Sequence, residues 1–226
     1  MAEEGTAEEG IAEAGAVVEA LLRRHGRTYA RELKIDLARN RPQPLFRWLC
    51  AALLLSARIS SALAMKAAAA LAEEGWTTAA KLAASSWEER VRVLNHAGYA
   101  RYDESTARML GETAERLIAD YGGDLRRLRE RAAGDPRALR RLLKEFKGIG
   151  DVGVDIFFRE VQAAWPEIFP FADRRALAAA AGLSLPSSAE GLAELVPPAD
   201  YPRLVAALVR CDLAHDRAAV LAEARG

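Results

Sequence analysis

The 226-residue chain is half hydrophobic yet only 7% aromatic, and its alanine-rich runs with few Val, Ile or Thr point to an all-α fold. Its 32 basic residues equal its 32 acidic ones, which excludes the uniformly basic surface of a generic polyanion binder but leaves room for a local basic face. Two cysteines and three histidines exclude an iron–sulfur cluster held in the usual four-cysteine way. No cofactor and no metal are expected. Residues 1–10 are acidic, read as disordered, and do not form a signal peptide. A helix over about 11–25 ends at Gly26, and the loop RNRPQP follows at 39–44. The apolar stretch LFRWLCAALLLSA contains Arg47 and is too short for a membrane span, so it reads as a buried helix over 45–56. The protein is therefore expected to be soluble and cytoplasmic, with no membrane partner. Cys50 and Cys211 both sit in apolar helical sequence and read as buried free thiols in preference to a disulfide.

Ser60 or Ser61 caps the next helix, which Gly75 closes, and Thr77 or Thr78 caps a short one. Ser86 with Glu89 forms a capping box for a helix that ends at Gly98. Met109, Leu110, Thr113, Leu117 and Ile118 then recur with a 3.6-residue period, until Gly122 and Gly123 stop the helix. Asp135 as N-cap and Pro136 at the first helical position open another helix. A helix over 151–163, an irregular connector, a helix over 174–181 and a last helix from DYPRLV to about 223 complete the chain. No strand and no internal repeat is expected.

The stretch EFKGIGDVGVDIFF, 145–158, places Gly148 and Gly150 between two strongly helical segments. A glycine hairpin of this kind can form an anion site. The second helix offers unpaired N–H groups and the positive end of its dipole, and the glycines let a phosphate approach without Cβ interference. The alternative is that the glycines only cap one helix and join it to the next. Asp151 can cap the second helix, yet it brings negative charge beside the proposed phosphate. Basic residues cluster just upstream, in RRLRER (126–131) and RALRRLLKEFK (137–147). Arg126, Arg127, Arg140 and Lys147 are the nearest candidate supports.

Three segments in order resemble the helix-hairpin-helix DNA glycosylase superfamily, its endonuclease III branch in particular. FKGIGDVGVDIFF is similar to the family's hairpin and following helix. FADRRALAAAAGL lies a little over twenty residues later, where the family carries its catalytic aspartate. LLLSARISSALAMKAAAAL is similar to an early family helix. The resemblance covers about residues 40–185. It implies a six-helix barrel over 42–165 that ends in the hairpin, and a second helical lobe from 1–41 and 166–226, with DNA in the cleft between. The partner would be lesion-bearing duplex DNA bound by a monomer, with Gly148, Ile149, Gly150, Val152 and Lys147 at the phosphate and the target base flipped out. Asp173 matches the catalytic aspartate, where a carboxylate can stabilise positive charge on the sugar and orient the attacking water. An N-cap for RRALAAAAGL is its alternative role. Where bifunctional members carry a Schiff-base lysine, this chain has Val152, and the cluster cysteines are missing. Arg58 replaces the glutamine that fills the gap left by a flipped base, and can do the same or bind phosphate. Tyr99 falls at a wedge position, where an aromatic can intercalate; a partly buried loop aromatic is the other reading. The resemblance thus implies base excision by a monofunctional glycosylase, or a non-catalytic DNA-binding protein on the same fold, nucleoid-associated if bacterial.

Overall fold

The computed structural model describes residues 2–226, the side chains of 2–11 excepted, and the stretch 2–10, expected to be disordered, is part of the first helix. Every regular element among the described residues is helical, as the composition implies. The first helix, α1 (Ala2–His25), stops at Gly26. There the N–H still donates to the Leu22 carbonyl at 2.8 Å, but a Cβ would lie 2.2 Å from that oxygen. A short α2 (Tyr29–Glu32) and a 3-10 turn (Leu37–Arg39) lead to α3 (Pro42–Leu55). This helix begins earlier than expected because Pro42 occupies its first turn, where a missing N–H costs nothing.

The caps read from sequence are in place. Ser60 Oγ accepts from Leu63 N–H at the start of α4 (Ser61–Glu73), and Thr78 caps α5 (Ala79–Ala83). The Ser86–Glu89 box opens α6 (Trp87–His96), with both reciprocal bonds formed. Next come α7 (Asp103–Tyr121), stopped by Gly122 at φ 61°, then α8 (Leu125–Arg131), and α9 (Pro136–Lys144) with Asp135 as its cap. In α7, Leu110, Thr113 and Leu117 are buried as their period requires, whereas Ile118 is exposed. After the hairpin run α10 (Asp151–Val161), α11 (Arg174–Gly182), α12 (Ala189–Ala193), α13 (Tyr201–Ala214) and α14 (Arg217–Ala224). The expected single last helix is thus two, broken where His215 turns left-handed at φ 54°. Helix α12 was not expected, although Ser188 caps it in the ordinary way.

The chain divides into two compact units, one of residues 1–29 with 169–226 and one of residues 30–168. In the first, α1 packs on α13 and α14, and α11 packs on α13, burying Leu21, Ala180, Leu183, Tyr201, Leu204 and Leu208. The end of α1 is also tied to α14 by charge. Arg23 and Arg24 pair with Glu223, while Arg24 and His25 pair with Asp216 at 2.9 and 2.7 Å. In the second unit α3 is central, in contact with α4, α7, α8 and α10. It buries Leu45, Phe46, Trp48 and Leu49 completely or nearly so, each worth about 1.5–3 kcal/mol in apolar transfer. Trp48 also satisfies its indole N–H on the Phe157 carbonyl of α10 at 3.0 Å. Arg90 of α6 is buried against α7. It donates to the Ala107 and Ser85 carbonyls, and a Cβ at Gly111 would lie 2.6 Å from its guanidinium. That close approach accounts for a glycine in mid-helix, which otherwise costs about 1 kcal/mol against alanine. Cys50 and Cys211 are free and buried, one in each unit. Among the described residues no helix is long and apolar enough to cross a membrane.

Candidate nucleic-acid interface

The hairpin joining α9 to α10 closes on a backbone bond from Ile149 N–H to the Phe146 carbonyl at 3.0 Å. Its two glycines differ. Gly148 has φ +87°, which calls for glycine, and a Cβ there would meet Met109 Sδ at 2.5 Å and oblige that flexible side chain to shift. Gly150 sits at φ −95° in extended backbone, and a Cβ there would meet nothing within 4 Å. The fold therefore makes no demand for glycine at Gly150. Gly150 is also the N-cap of α10 and brings no side chain to cap it. The opening N–H groups of that helix, on Asp151, Val152 and Gly153, have no capping partner among the described residues and carry the positive end of the dipole.

The other sequence-predicted residues at the hairpin separate by exposure. Lys147, Gly148 and Gly150 are exposed, and Val152 shows 59% of its surface to solvent. Ile149 is 4% exposed, so its side chain anchors the turn and is not available to a ligand. Arg58, after α3, is exposed.

Tyr99 is a correction. It is 2% exposed, and its hydroxyl donates to the Leu54 carbonyl at 3.3 Å. Burial pushes its phenol above the usual range. A ring enclosed in this way is part of the core and has no free face to offer as a wedge.

The proposed cationic supports are also arranged differently from the sequence reading. Arg126 and Arg127 line a concavity of about 630 Å³ with Asn40, Asp124, Arg129 and Glu167, which includes no hairpin residue. Arg126 is held there by Asp124 at 2.7 Å and Arg129 by Glu167 at 2.6 Å. Burial works to raise the Asp124 and Glu167 carboxyls, and their arginines outweigh it and hold both below the usual carboxylate range. Arg140 does reach the hairpin region, but it is engaged by Asp155 at 2.6 Å and Asp151 at 3.6 Å and lies over the Phe158 ring. Lys144 was not singled out from the sequence. Its Nζ donates to both Asp151 carboxylate oxygens at 2.9 Å, and this bond holds the Asp151 carboxyl below its usual range. The signal available in sequence was a lysine at the end of α9 facing an aspartate at the start of α10 across a short turn.

Asp173 is the N-cap of α11. Its Oδ1 accepts from Arg175 N–H at 2.9 Å and Ala176 N–H at 3.1 Å, and the residue is 6% exposed. The capping role weighed in the sequence reading is therefore realised.

No protein-family model matches the chain, and no curated protein matches it significantly. Among solved structures, the chain is similar to one described as "Structure of a Trapped Endonuclease III-DNA Covalent Intermediate: Estranged-Adenine Complex". The identity is 19% and the TM-score 0.46, over 72% of this chain and 71% of that one. A likeness at that level establishes neither family nor activity.

Proposed function

We propose that this chain binds duplex DNA through the hairpin between α9 and α10 and acts in base excision as a monofunctional glycosylase. In this reading it hydrolyses the N-glycosidic bond of a damaged or mismatched base. The observation that carries the DNA-binding part is Gly150. It is a glycine that neither conformation nor packing requires, at the uncapped start of an eleven-residue helix, as suits a backbone that an external phosphate must approach closely. Lys147, exposed beside it, has no carboxylate partner among the described residues and is available without breaking an internal pair. Val152 has no amine, so the reading includes no Schiff base and no strand cleavage by the protein itself. It also includes no iron–sulfur cluster, because the chain has two cysteines and they belong to different units.

Asp173 is the proposed catalytic carboxylate. A capping aspartate is fixed by its two N–H donors, and a fixed negative charge stabilises a developing oxocarbenium ion at little reorganisation cost. The same two bonds favour a second reading, in which Asp173 serves only α11 and the protein binds DNA without cutting the glycosidic bond.

A panel of duplexes, each with one lesion, incubated with and without alkali, separates the two. The first reading expects base release with strand breaks only after alkali, and no covalent complex trapped by borohydride. A trapped complex would identify a protein amine as nucleophile and end the monofunctional reading. Duplex binding with no release from any lesion would leave the second reading in place.

A further inference from the structure

Two cations and two carboxylates bracket the hairpin, and among themselves they cancel. Arg140 is shared between Asp155 and Asp151, and Lys144 holds both oxygens of Asp151. Asp151 is the first residue of α10, so its carboxylate sits in the same positive field that would draw an incoming phosphate. Its side chain is 65% exposed. We propose that Asp151 is an internal stand-in for the DNA phosphate, and that Lys144 is the cation transferred from Asp151 to a phosphate when duplex DNA binds. The inference rests on the DNA-binding reading of the hairpin and adds to it a residue and a built-in limit on affinity.

Three features select Lys144 for this transfer over Arg140. An ammonium on a flexible stem can turn from one anion to another, whereas a guanidinium fork is directional. Arg140 has two carboxylates and an aromatic face beneath it, while Lys144 has one partner. The Lys144–Asp151 pair is also solvent-exposed on both sides, and such pairs are weak and readily exchanged. Release of Lys144 still leaves the Asp151 charge close to the bound phosphate. Duplex binding is thereby held below what the hairpin backbone would otherwise reach, which favours a protein that must leave non-specific DNA quickly.

The test measures affinity of the full chain for a lesion-free 20-base-pair duplex by fluorescence anisotropy across a salt series. Lys144→Gln should weaken binding several-fold and reduce the steepness of log affinity against log salt by about 0.9, the loss of one phosphate contact. Asp151→Asn and Asp151→Ser should each strengthen binding about three- to tenfold at low salt, with the gain shrinking as salt rises. Gly150→Val serves as the control for the hairpin itself, and thermal melts confirm that each variant is folded. If Gly150→Val weakens binding but the Asp151 variants do not strengthen it, or Lys144→Gln leaves affinity and slope unchanged, this inference is overturned and the hairpin reading survives. If Gly150→Val also leaves affinity unchanged, both are overturned.

Discussion

Helices α10 and α11 begin in opposite ways. At α11 the chain supplies its own anion, since the Asp173 carboxylate closes the first turn through Arg175 and Ala176. At α10 the cap is Gly150, which supplies nothing, and the acid of the first turn, Asp151, is turned to Lys144. Both starts carry the same dipole and the same orphan donors. The difference is who satisfies them. A start that the chain has filled is built for stability, and one that it leaves empty, with a glycine that the fold does not need, is available to a phosphate. Asp173 therefore has a proven structural duty and a proposed chemical one, whereas Gly150 has only the proposed one.

The largest effect should come from separating those two duties. Asp173→Asn keeps the cap, because Asn caps about as well as Asp, but removes the charge opposite a developing oxocarbenium ion. Single-turnover base release should fall on the order of a hundredfold or more with almost no change in melting temperature. Equal release by variant and wild type would reduce Asp173 to a cap. Next in size is Gly148→Val. A β-branched residue forced to φ +87° should cost at least about 1–2 kcal/mol of stability, read from the urea midpoint. Duplex affinity should fall by roughly 1–3 kcal/mol with it as the N–H groups are misdirected. Asp173→Ala removes the cap as well as the charge and should lower stability by about 1 kcal/mol. If stability is untouched, the contrast between the two helix starts loses its structural half. The smallest effect is the most diagnostic. Gly150→Ser makes α10 begin as α11 does, with a side-chain oxygen reaching the N–H of Val152 or Gly153. Stability should rise by a few tenths of a kcal/mol while duplex affinity drops several-fold, since the hydroxyl now competes with the phosphate. A rise in both quantities would mean that those N–H groups do not bind DNA.

What could be read from the sequence was what is decided within one turn of chain. The Ser86–Glu89 box, Asp135 with Pro136, and Asp173 ahead of its helix all involve partners two or three residues apart, and all could be placed without knowing the fold. The break between α13 and α14 could not. The stretch CDLAHDRAAV contains neither Gly nor Pro, and the turn at His215 is supported by Asp216, which pairs with Arg24 and His25 some 190 residues away. Tyr99 failed for a similar reason. The resemblance put it at a wedge position or left it a partly buried loop aromatic, but its hydroxyl is met by Leu54, 45 residues earlier, and it is buried. At the hairpin, the glycines were legible, and the neutralisation of Arg140 and Lys144 was not. Spacing shows that charges are near one another but not which ones face across a turn.

The clasp between Arg23, Arg24 and His25 on one side and Asp216 and Glu223 on the other has a consequence for the order in which the chain is made. Residues 30–168 form a compact unit of contiguous sequence, so that unit can begin to fold as soon as it clears the ribosome. Helix α1 is synthesised well before its packing partners α13 and α14, with the whole of residues 30–168 made in between. Until then its apolar face, Val17, Val18 and Leu21, has no native cover. Helix α1 is thus an amphipathic helix without its cover until α13 and α14 are made, and it is the segment on which a chaperone would be expected to act.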